Sequence, residues 1–307
     1  MSTVSGDTVK NPGAARSSGA GDHCGAALQL ISGLRDGLAA GDLELPALPS
    51  VVTLIQRALD RSEVQIAQIC ELILSEPALA GSVLKLANSP IYRRGGIETT
   101  NMDTCVQRLG TRLVHSVSLH FAMQQMQRAP EYKAIHSLLE PEWDRSRMVS
   151  ELCYSLARRS RRAAPEDMLT LGLIHNIGRI YILGQAGSQA RAMFEDEDAA
   201  ALIEEWHPLI GGAIAKSWHL PESAVRAIAE QGDEDAPNDD DVRTLLVLAI
   251  TIATQGVGED GLDPALVAEF PGALRLGLDA GPLGAIIEDA REFGEMLMGS
   301  SSSVQFL

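Results

Sequence analysis

The sequence predicts an all-α fold, and three observations lead to that prediction. Apolar residues recur at the spacing of one helix face, as in Val51, Leu54 and Ile55. No alternating apolar and polar stretch of useful strand length is present. Proline and glycine stand where such segments begin or stop, as at Pro77 and Gly110. Because aromatic residues make up only 4% of the chain, the core must be mainly aliphatic.

Composition and charge narrow the function classes. The chain has 307 residues, 45% hydrophobic and 21% charged, which is ordinary globular usage. Its net charge of −16 repels phosphate backbones and anionic lipids, so we expect neither a nucleic-acid nor a membrane partner. There is no signal peptide and no apolar run of transmembrane length, so a cytoplasmic location is expected. The four cysteines are far apart and form no CxxC pair, so neither a zinc site nor a disulfide framework is indicated.

The first half reads as a tail followed by short helices. Residues 1–25 are rich in Gly, Ser and Ala and predict a flexible tail. Ser62 and Gln65 suggest a capping box, and Pro77 suits the first turn of the next helix. That helix ends near Asn88, which we interpret as a C-cap in the left-handed conformation, with a recognition role as the alternative. A further helix stops at Gly110.

Helical patterns continue through the second half, over about 143–160, 166–177, 199–218 and 221–230. The segment from Leu169 to Ile177 is apolar all round, which predicts a central buried helix. Trp218 and Pro221 bracket a tight joint between two helices. The acidic run Asp233–Asp241 reads as a solvated loop, with a divalent-cation site as the weaker alternative. The amphipathic stretch 283–297 either covers the core or pairs with a second copy, so a homo-oligomer is left open.

Several short motifs, in order, resemble the HDOD family, an HD-related output domain of bacterial signalling proteins. The family pattern is matched in the first half by LPALP from Leu45, SEPAL from Ser75, the ANS triplet and the LG helix stop. In the second half it is matched by Trp143 with Ser146, GLIHNIGR from Gly172, His207 and WHLP from Trp218. The residues given a structural role by these motifs are Pro46, Pro49, Pro77, Asn88, Ser89, Gly110, Gly178, Trp218 and Pro221.

The resemblance covers about residues 43–256 and implies a domain plan. Residues 1–25 form the tail, and 26–256 form the HDOD domain. Within it, an N-terminal helical lobe of about 26–128 packs on a degenerate HD-type bundle of about 129–256. Residues 257–307 form a C-terminal helical extension with a short flexible end.

HD phosphohydrolases bind metal through a His, a His-Asp doublet and a distant Asp, because carboxylate and imidazole together fix a hydroxide-generating ion. Aligned with that pattern, the doublet reads His175-Asn176, and Ser146 stands where an upstream histidine is expected. Gln231 replaces a histidine pair, and no acid lies near Ile250 or Thr251. The resemblance therefore implies a vestigial cleft formed by Ser146, His175, Asn176, His207 and Gln231. We expect no catalytic residue, no metal ligand set and no cofactor.

His175 has two interpretations. It is either a core-lining histidine that bonds a nearby backbone group or Asn176, or part of a remnant ligand or nucleotide pocket with Asn176 and His207. The sequence leaves both open and favours the first.

The function implied is that of a non-enzymatic bacterial signal-transduction module that acts through protein–protein contacts. Its partners would be other signalling proteins, in a cyclic-di-GMP or two-component pathway. A different class is a nucleotide-sensing module that uses the vestigial cleft without cleavage. A third is a metal-dependent phosphohydrolase with a non-standard site, which needs an acidic ligand near His175 that the helix carrying His175 does not supply.

Overall fold

The computed structural model describes residues 20–59, 61, 63–93, 96–233, 240–255, 257–258 and 261–298. Its helices are α1 Ala20–Ala40, α2 Ser50–Leu59, α3 Ile66–Leu74, α4 Pro77–Ala87, α5 Pro90–Arg93, α6 Met102–Leu109, α7 Thr111–Gln127, α8 His136–Ser160, α9 Pro165–Ile174, α10 Ile177–Ala186, α11 Ala190–Glu195, α12 Glu197–Ser217, α13 Glu222–Ala229, α14 Asp241–Gln255, α15 Pro264–Ala268, α16 Pro271–Leu276 and α17 Ala280–Met298. Short 3₁₀ turns cover Pro130–Ile135 and Gly187–Gln189. The predicted all-α class is confirmed. The strands within the described ranges are β1 Val257–Gly258 and β2 Gly261–Leu262, an antiparallel pair of two residues each.

Helices α2 to α7 form the N-terminal lobe, and their ends follow the sequence signals. Pro77 occupies the first turn of α4, where its missing N–H costs nothing. The carbonyl of Pro49 accepts the backbone N–H groups of Val52 and Thr53 at the start of α2. Gly110, with φ of +79°, separates α6 from α7 in a conformation that favours glycine.

Helices α8 to α14 pack around the long α8 and make up the part of the chain that the resemblance predicts to be the HD-like lobe. The predicted helix over Leu169–Ile177 is buried throughout, but it is not continuous. α9 ends at Ile174 and α10 begins at Ile177, with His175 and Asn176 in the turn between them. The turn is stabilised by side-chain bonds from both residues, which periodicity does not reveal.

The N-terminal helix corrects two expected boundaries. α1 begins at Ala20, within the stretch predicted to be tail, while residues 1–19 lie outside the described residues. It packs against α10, α11 and α12 of the HD-like lobe, although the sequence placed it with the N-terminal lobe. Its buried face carries Ala27, Ile31 and Leu34. The polar first residues of this helix hide a periodic pattern that becomes apolar only from Ala26 onward.

The C-terminal helix α17 packs mainly on α8 and also touches α4 and α15. Tyr154 of α8 stacks on Phe293 of α17, with ring centroids 4.0 Å apart and planes within 8°. The second alternative for stretch 283–297, pairing with another copy, loses its main support because Leu283, Ile286, Ala290 and Phe293 are buried within the chain.

Two local predictions are wrong in part or in full. The C-cap position of Asn88 after α4 is confirmed, but its predicted left-handed conformation is wrong, because its φ of −93° and ψ of 0° are right-handed. Its side chain instead holds a neighbouring loop: Nδ2 donates to the Thr99 carbonyl at 2.8 Å, and Oδ1 accepts from the Thr99 N–H at 2.9 Å. Gln65 is the residue before α3 rather than its third position, and its side chain makes no capping bond. Ser62 lies outside the described residues.

Hydrogen bonds tie the segment that precedes α2 to the HD-like lobe. Trp218 Nε1 donates to the carbonyl of Pro46 at 2.6 Å, and the Tyr181 hydroxyl donates to the carbonyl of Glu44 at 2.8 Å. Gln56 Nε2 donates to the carbonyl of Trp218 at 2.8 Å. The LPALP segment and the WHLP segment therefore contact each other where the two lobes meet.

Two segments with sequence predictions lie partly or wholly outside the residues that the structure describes. Of the acidic run Asp233–Asp241, residues 234–239 lie outside the described residues, so its cation-site alternative stays a sequence prediction. The expected polar end beyond residue 298 lies outside them too. No helix in the described part of the chain has the length and apolar character needed to cross a bilayer.

Candidate functional site

The five residues of the vestigial cleft lie together where α8, α9, α10, α12 and the end of α13 meet. Ser146 comes from α8, and His175 and Asn176 from the turn between α9 and α10. His207 comes from α12, and Gln231 follows α13. All but Gln231 are buried. The side chains are positioned by the packing of these five helices.

Two glycines allow these helices to approach one another. A Cβ atom on Gly178 would lie 2.0 Å from the carbonyl oxygen of His207 and 2.6 Å from the backbone nitrogen of Gly211. A Cβ on Gly172 would lie 2.6 Å from the Cα of Ser150. The backbones of α10 and α12, and of α9 and α8, are therefore in direct contact beside the cleft. This contact explains the structural role that the family pattern gives to Gly178.

Asn176 both accepts and donates hydrogen bonds, and an aspartate could not make the donated ones. The Ser146 hydroxyl donates to Asn176 Oδ1 at 2.7 Å. Asn176 Nδ2 donates to the carbonyl and to Oε2 of Glu142, at 3.2 and 3.3 Å. A carboxylate at position 176 would face the Glu142 carboxylate without a proton between them. The amide therefore suits this site because it donates where an aspartate would repel.

Glu142 is the central charged residue of the site, and it was not identified from the sequence. Its side chain is only 2% exposed. The guanidinium of Arg179 lies against it, with Nε 3.5 Å from Oε1, and Arg145 lies further out at 3.8 Å. Glu142 precedes Ser146 by one helical turn, so the i, i+4 spacing on α8 is the signal that could have found it.

Arg179 is the second residue that sequence reasoning missed. It is 11% exposed in its side chain and pairs with both Glu142 and Glu204. Its Cζ lies 5.3 Å from the ring centroid of Phe194, a cation–π distance. It follows His175 by four residues, which places it one turn further along the chain. Together these contacts fix a positive charge inside the cleft.

Both histidines of the cleft are neutral at physiological pH. Burial lowers the pKa of His175 to about 3, and the positive charge of Arg145 and the repulsion of a protonated His207 act in the same direction. Its Nδ1 donates to the carbonyl of Gly172 at 2.7 Å. Burial and the Arg179 charge lower the pKa of His207 to about 3, although Glu204 Oε2 lies 3.3 Å from its Nε2. Because Glu204 is half-exposed and also pairs with Arg179, it does not offset the burial of the ring.

Gln231 closes the cleft from the end of α13. Its Nε2 donates to the backbone carbonyl of His175 at 2.9 Å. The Gln231 amide therefore stabilises the turn that carries His175. At the position where the family resemblance predicts a pair of histidines, this chain has a side chain that bonds the backbone.

These residues do not fit a divalent metal ion. A hydrolytic site needs converging anionic and imidazole ligands, whereas here Asn176 presents its oxygen to Ser146 and Glu142 is paired with a guanidinium. Across the described part of the chain, no group of three or more His, Cys, Asp or Glu side chains is arranged to hold a metal. The arrangement is a closed polar network that carries its own cation.

The fold and this network define an all-α module in which buried polar side chains are paired with one another. The chain belongs to the HDOD family, whose domain profile matches residues 45–234. It is 27% identical over 201 residues to an uncharacterised protein of Treponema pallidum, a match that covers 60% of this chain and 37% of that relative. The chain therefore spans well under two thirds of that relative's length.

Solved structures share the fold. A protein of Shewanella amazonensis, proposed to be a metal-dependent phosphohydrolase, has a TM-score of 0.73 at 21% identity, covering 89% of this chain and 99% of that one. An HDOD domain protein of Geobacter sulfurreducens has a TM-score of 0.64 at 22% identity, covering 90% and 98%. A proposed signal transduction protein of Marinobacter aquaeolei has a TM-score of 0.57 at 20% identity, covering 91% and 65%.

Proposed function

We propose that this chain is a non-catalytic signal-transduction module that acts by binding another signalling protein. Membership of the HDOD family and the likeness in fold to a proposed signal transduction protein support the signalling role. The observation that carries the non-catalytic part is the pairing of buried Glu142 with Arg179 beside Asn176. The one carboxylate buried among the cleft residues is already neutralised by a side chain.

The physical reason is electrostatic. A divalent cation entering the cleft would meet the Arg179 guanidinium, which repels it, and two histidines. Each neutral histidine offers one unprotonated ring nitrogen, which is a weak substitute for a carboxylate as a ligand of a hard cation. It would also have to break the Ser146–Asn176 bond, which is buried. Hydroxide generation on a bound ion therefore has no suitable ligand set here. The module would work through its surface, in a cyclic-di-GMP or two-component pathway.

Metal analysis and a phosphodiesterase assay test the non-catalytic part. The full chain, incubated with manganese or ferrous iron and desalted, is measured for bound metal and for hydrolysis of bis(p-nitrophenyl) phosphate. We expect substoichiometric metal and no turnover above the blank. Stoichiometric metal together with turnover would show that the chain is a phosphohydrolase with a non-standard site.

A restoration experiment tests the assignment of the cleft. The substitutions Asn176→Asp, Ser146→His and Gln231→His are combined with Arg179→Gln, and the matched control keeps Arg179. We expect manganese uptake in the fourfold variant and weaker uptake in the control, because the guanidinium repels the ion. A folded fourfold variant that takes up no manganese would contradict the assignment.

The nucleotide-sensing alternative is favoured by one observation. His207 Nδ1 is buried and has no hydrogen-bond partner among the residues that the structure describes, so a ligand donor could satisfy it. Calorimetric titration of the chain with cyclic di-GMP separates this alternative from the proposal. A flat titration supports the protein-binding module, and saturable heat that is lost in His207→Phe supports nucleotide sensing at the cleft.

A further inference from the structure

A cavity of about 660 Å³ lies between the two lobes and is separate from the vestigial cleft. Its walls come from α2 and α7 on one side and from α9, α13 and the start of α14 on the other. None of the five cleft residues lines it. Ile174, the last residue of α9, lines the cavity and directly precedes His175 in the sequence. A volume of this size suits a small organic molecule.

Part of the lining of this interlobe cavity is apolar. Met168, Leu171 and Ile174 of α9 contribute to it, together with Leu59 and Leu220. Met168, Leu171 and Ile174 are at most 2% exposed, so their side chains are fixed by packing. A flat apolar group placed here would replace water against side chains that do not need to move.

The mouth of the cavity is polar and carries two guanidinium groups. Arg112 lies 3.3 Å from Asp167, and Arg162 lies 3.3 Å from Asp241. Arg112 and Asp167 are each more than 60% exposed, so their pairing contributes little to stability. Each guanidinium has more N–H donors than one carboxylate can use. Since both arginines line the cavity, they offer an anionic ligand group free donors without the existing carboxylate contacts having to break.

One wall is fixed by an unusual backbone. His219 has a φ of +58°, in the left-handed region that non-glycine residues seldom adopt. Gln56, itself buried, donates from Nε2 to the carbonyls of Trp218 and His219 at 2.8 and 3.4 Å. Both Gln56 and His219 line the cavity. The cavity is thus preformed, and its shape depends on how the two lobes are held together.

We propose that the interlobe cavity binds a small amphipathic organic anion, with an apolar ring system inside and its acidic group at Arg112 and Arg162. This inference goes beyond the proposed function, because it assigns a ligand site that the family's vestigial cleft does not provide. Since the ligand would contact both lobes, its binding would favour one arrangement of the lobes over others.

Two probes of the same shape test the site. The sulfonate 1-anilinonaphthalene-8-sulfonate carries a negative charge, and N-phenyl-1-naphthylamine is its uncharged counterpart. On the folded full chain we expect saturable binding of the sulfonate at one site, seen as enhanced fluorescence. The neutral probe should bind about tenfold more weakly, and the difference should vanish in Arg112→Gln/Arg162→Gln.

Cavity-filling variants locate the binding. Ala224→Trp and Thr111→Trp fill the cavity from opposite walls at partly exposed positions, and either should abolish probe binding. Ala201→Trp, on the exposed face of α12, is the matched control and should bind as the wild type does. Circular dichroism and thermal unfolding confirm that each variant is folded. If one of the two cavity-filling variants fails to fold, the other still tests whether the probe binds in the cavity.

The proposal is wrong if folded filling variants still bind the sulfonate with unchanged affinity, or if the wild type does not bind it. Equal binding of the two probes would overturn the anionic part. Because these measurements involve no metal and no phosphodiester, they fail or succeed independently of the metal and turnover assays.

Discussion

Buried Glu142 needs a cation, and Arg179 supplies it. The two side chains are 2% and 11% exposed, and Arg179 Nε lies 3.5 Å from Glu142 Oε1. A buried carboxylate that loses its partner is costly, whereas removing both charges restores neutrality. At the scale of single residues, this pair is therefore where the site is most sensitive to substitution.

We expect Arg179→Met to lower the free energy of unfolding by about 3–5 kcal/mol. The substitution leaves the buried Glu142 carboxylate with only the more exposed Arg145, 3.8 Å away, as a cationic partner. Adding Glu142→Gln should recover a large part of that loss. Urea denaturation followed by circular dichroism measures both. Arg191→Met, at an exposed pair with Glu195, is the control and should change stability by less than about 0.5 kcal/mol. An additive double variant would contradict the pairing.

At the scale of secondary-structure elements, the contact between α10 and α12 has no room for a side chain at Gly178. The added Cβ would overlap the carbonyl of His207 and the backbone of Gly211. Neither helix can shift without disturbing the cleft, since His207 and Asn176 lie on either side of the contact.

Gly178→Ala should therefore lower the free energy of unfolding by about 3 kcal/mol or more, or prevent folding. The matched control is Gly81→Ala in α4, an exposed position where an added Cβ meets nothing within 4 Å. That change should stabilise the chain by about 0.5–1 kcal/mol through helix propensity. Thermal unfolding of both variants gives the comparison, and equal losses would show that the close approach is not the cause.

Helix faces and their ends could be predicted from the sequence because apolar spacing, proline and glycine report on local structure. The break at His175-Asn176 could not, since it depends on bonds to Gly172, Ser146 and Glu142 from other turns and another helix. The bond between Asn88 and Thr99 is hidden for the same reason. The resemblance grouped five residues that the structure brings together, but it did not point to Glu142 and Arg179, which form an ion pair beside them.

At the scale of the whole molecule, the docking of α17 on α8 covers a buried acid. Glu151 lies beneath Gly294, where an added Cβ would be 2.3 Å from its Oε1. Burial raises the pKa of Glu151 to about 8, and Arg147 only partly opposes this. The folded chain therefore holds a proton on Glu151 that the unfolded chain, with an ordinary glutamate pKa, has released at neutral pH.

Stability should consequently fall as the pH rises from 7 to about 8 and level off by 9. Between the unfolded and folded pKa values the native state binds more protons than the unfolded state. This group's stabilisation is therefore complete below the unfolded pKa, decreases as the pH rises above it, and is lost once the pH passes about 8. We expect a loss of about 1 kcal/mol over this range. Glu151→Gln should flatten the slope in urea denaturation series. Each cleft histidine has a pKa of about 3 in the folded chain and about 6.5 in the unfolded chain, so neither contributes to the slope above pH 7. An unchanged slope in the variant would rule out Glu151 as the source.

The positions of α1 and α17 bear on which stretch of chain is the unit that folds. The span that defines the family, 45–234, contains neither helix. A fragment cut to that span would leave the α12 surface that receives Ile31 and Leu34, and the Tyr154 ring that receives Phe293, in contact with water. Such a fragment would keep every motif of the family and still be prone to self-association. The span that matches the family profile is thus shorter than the span needed to bury the core, which extends from α1 to α17.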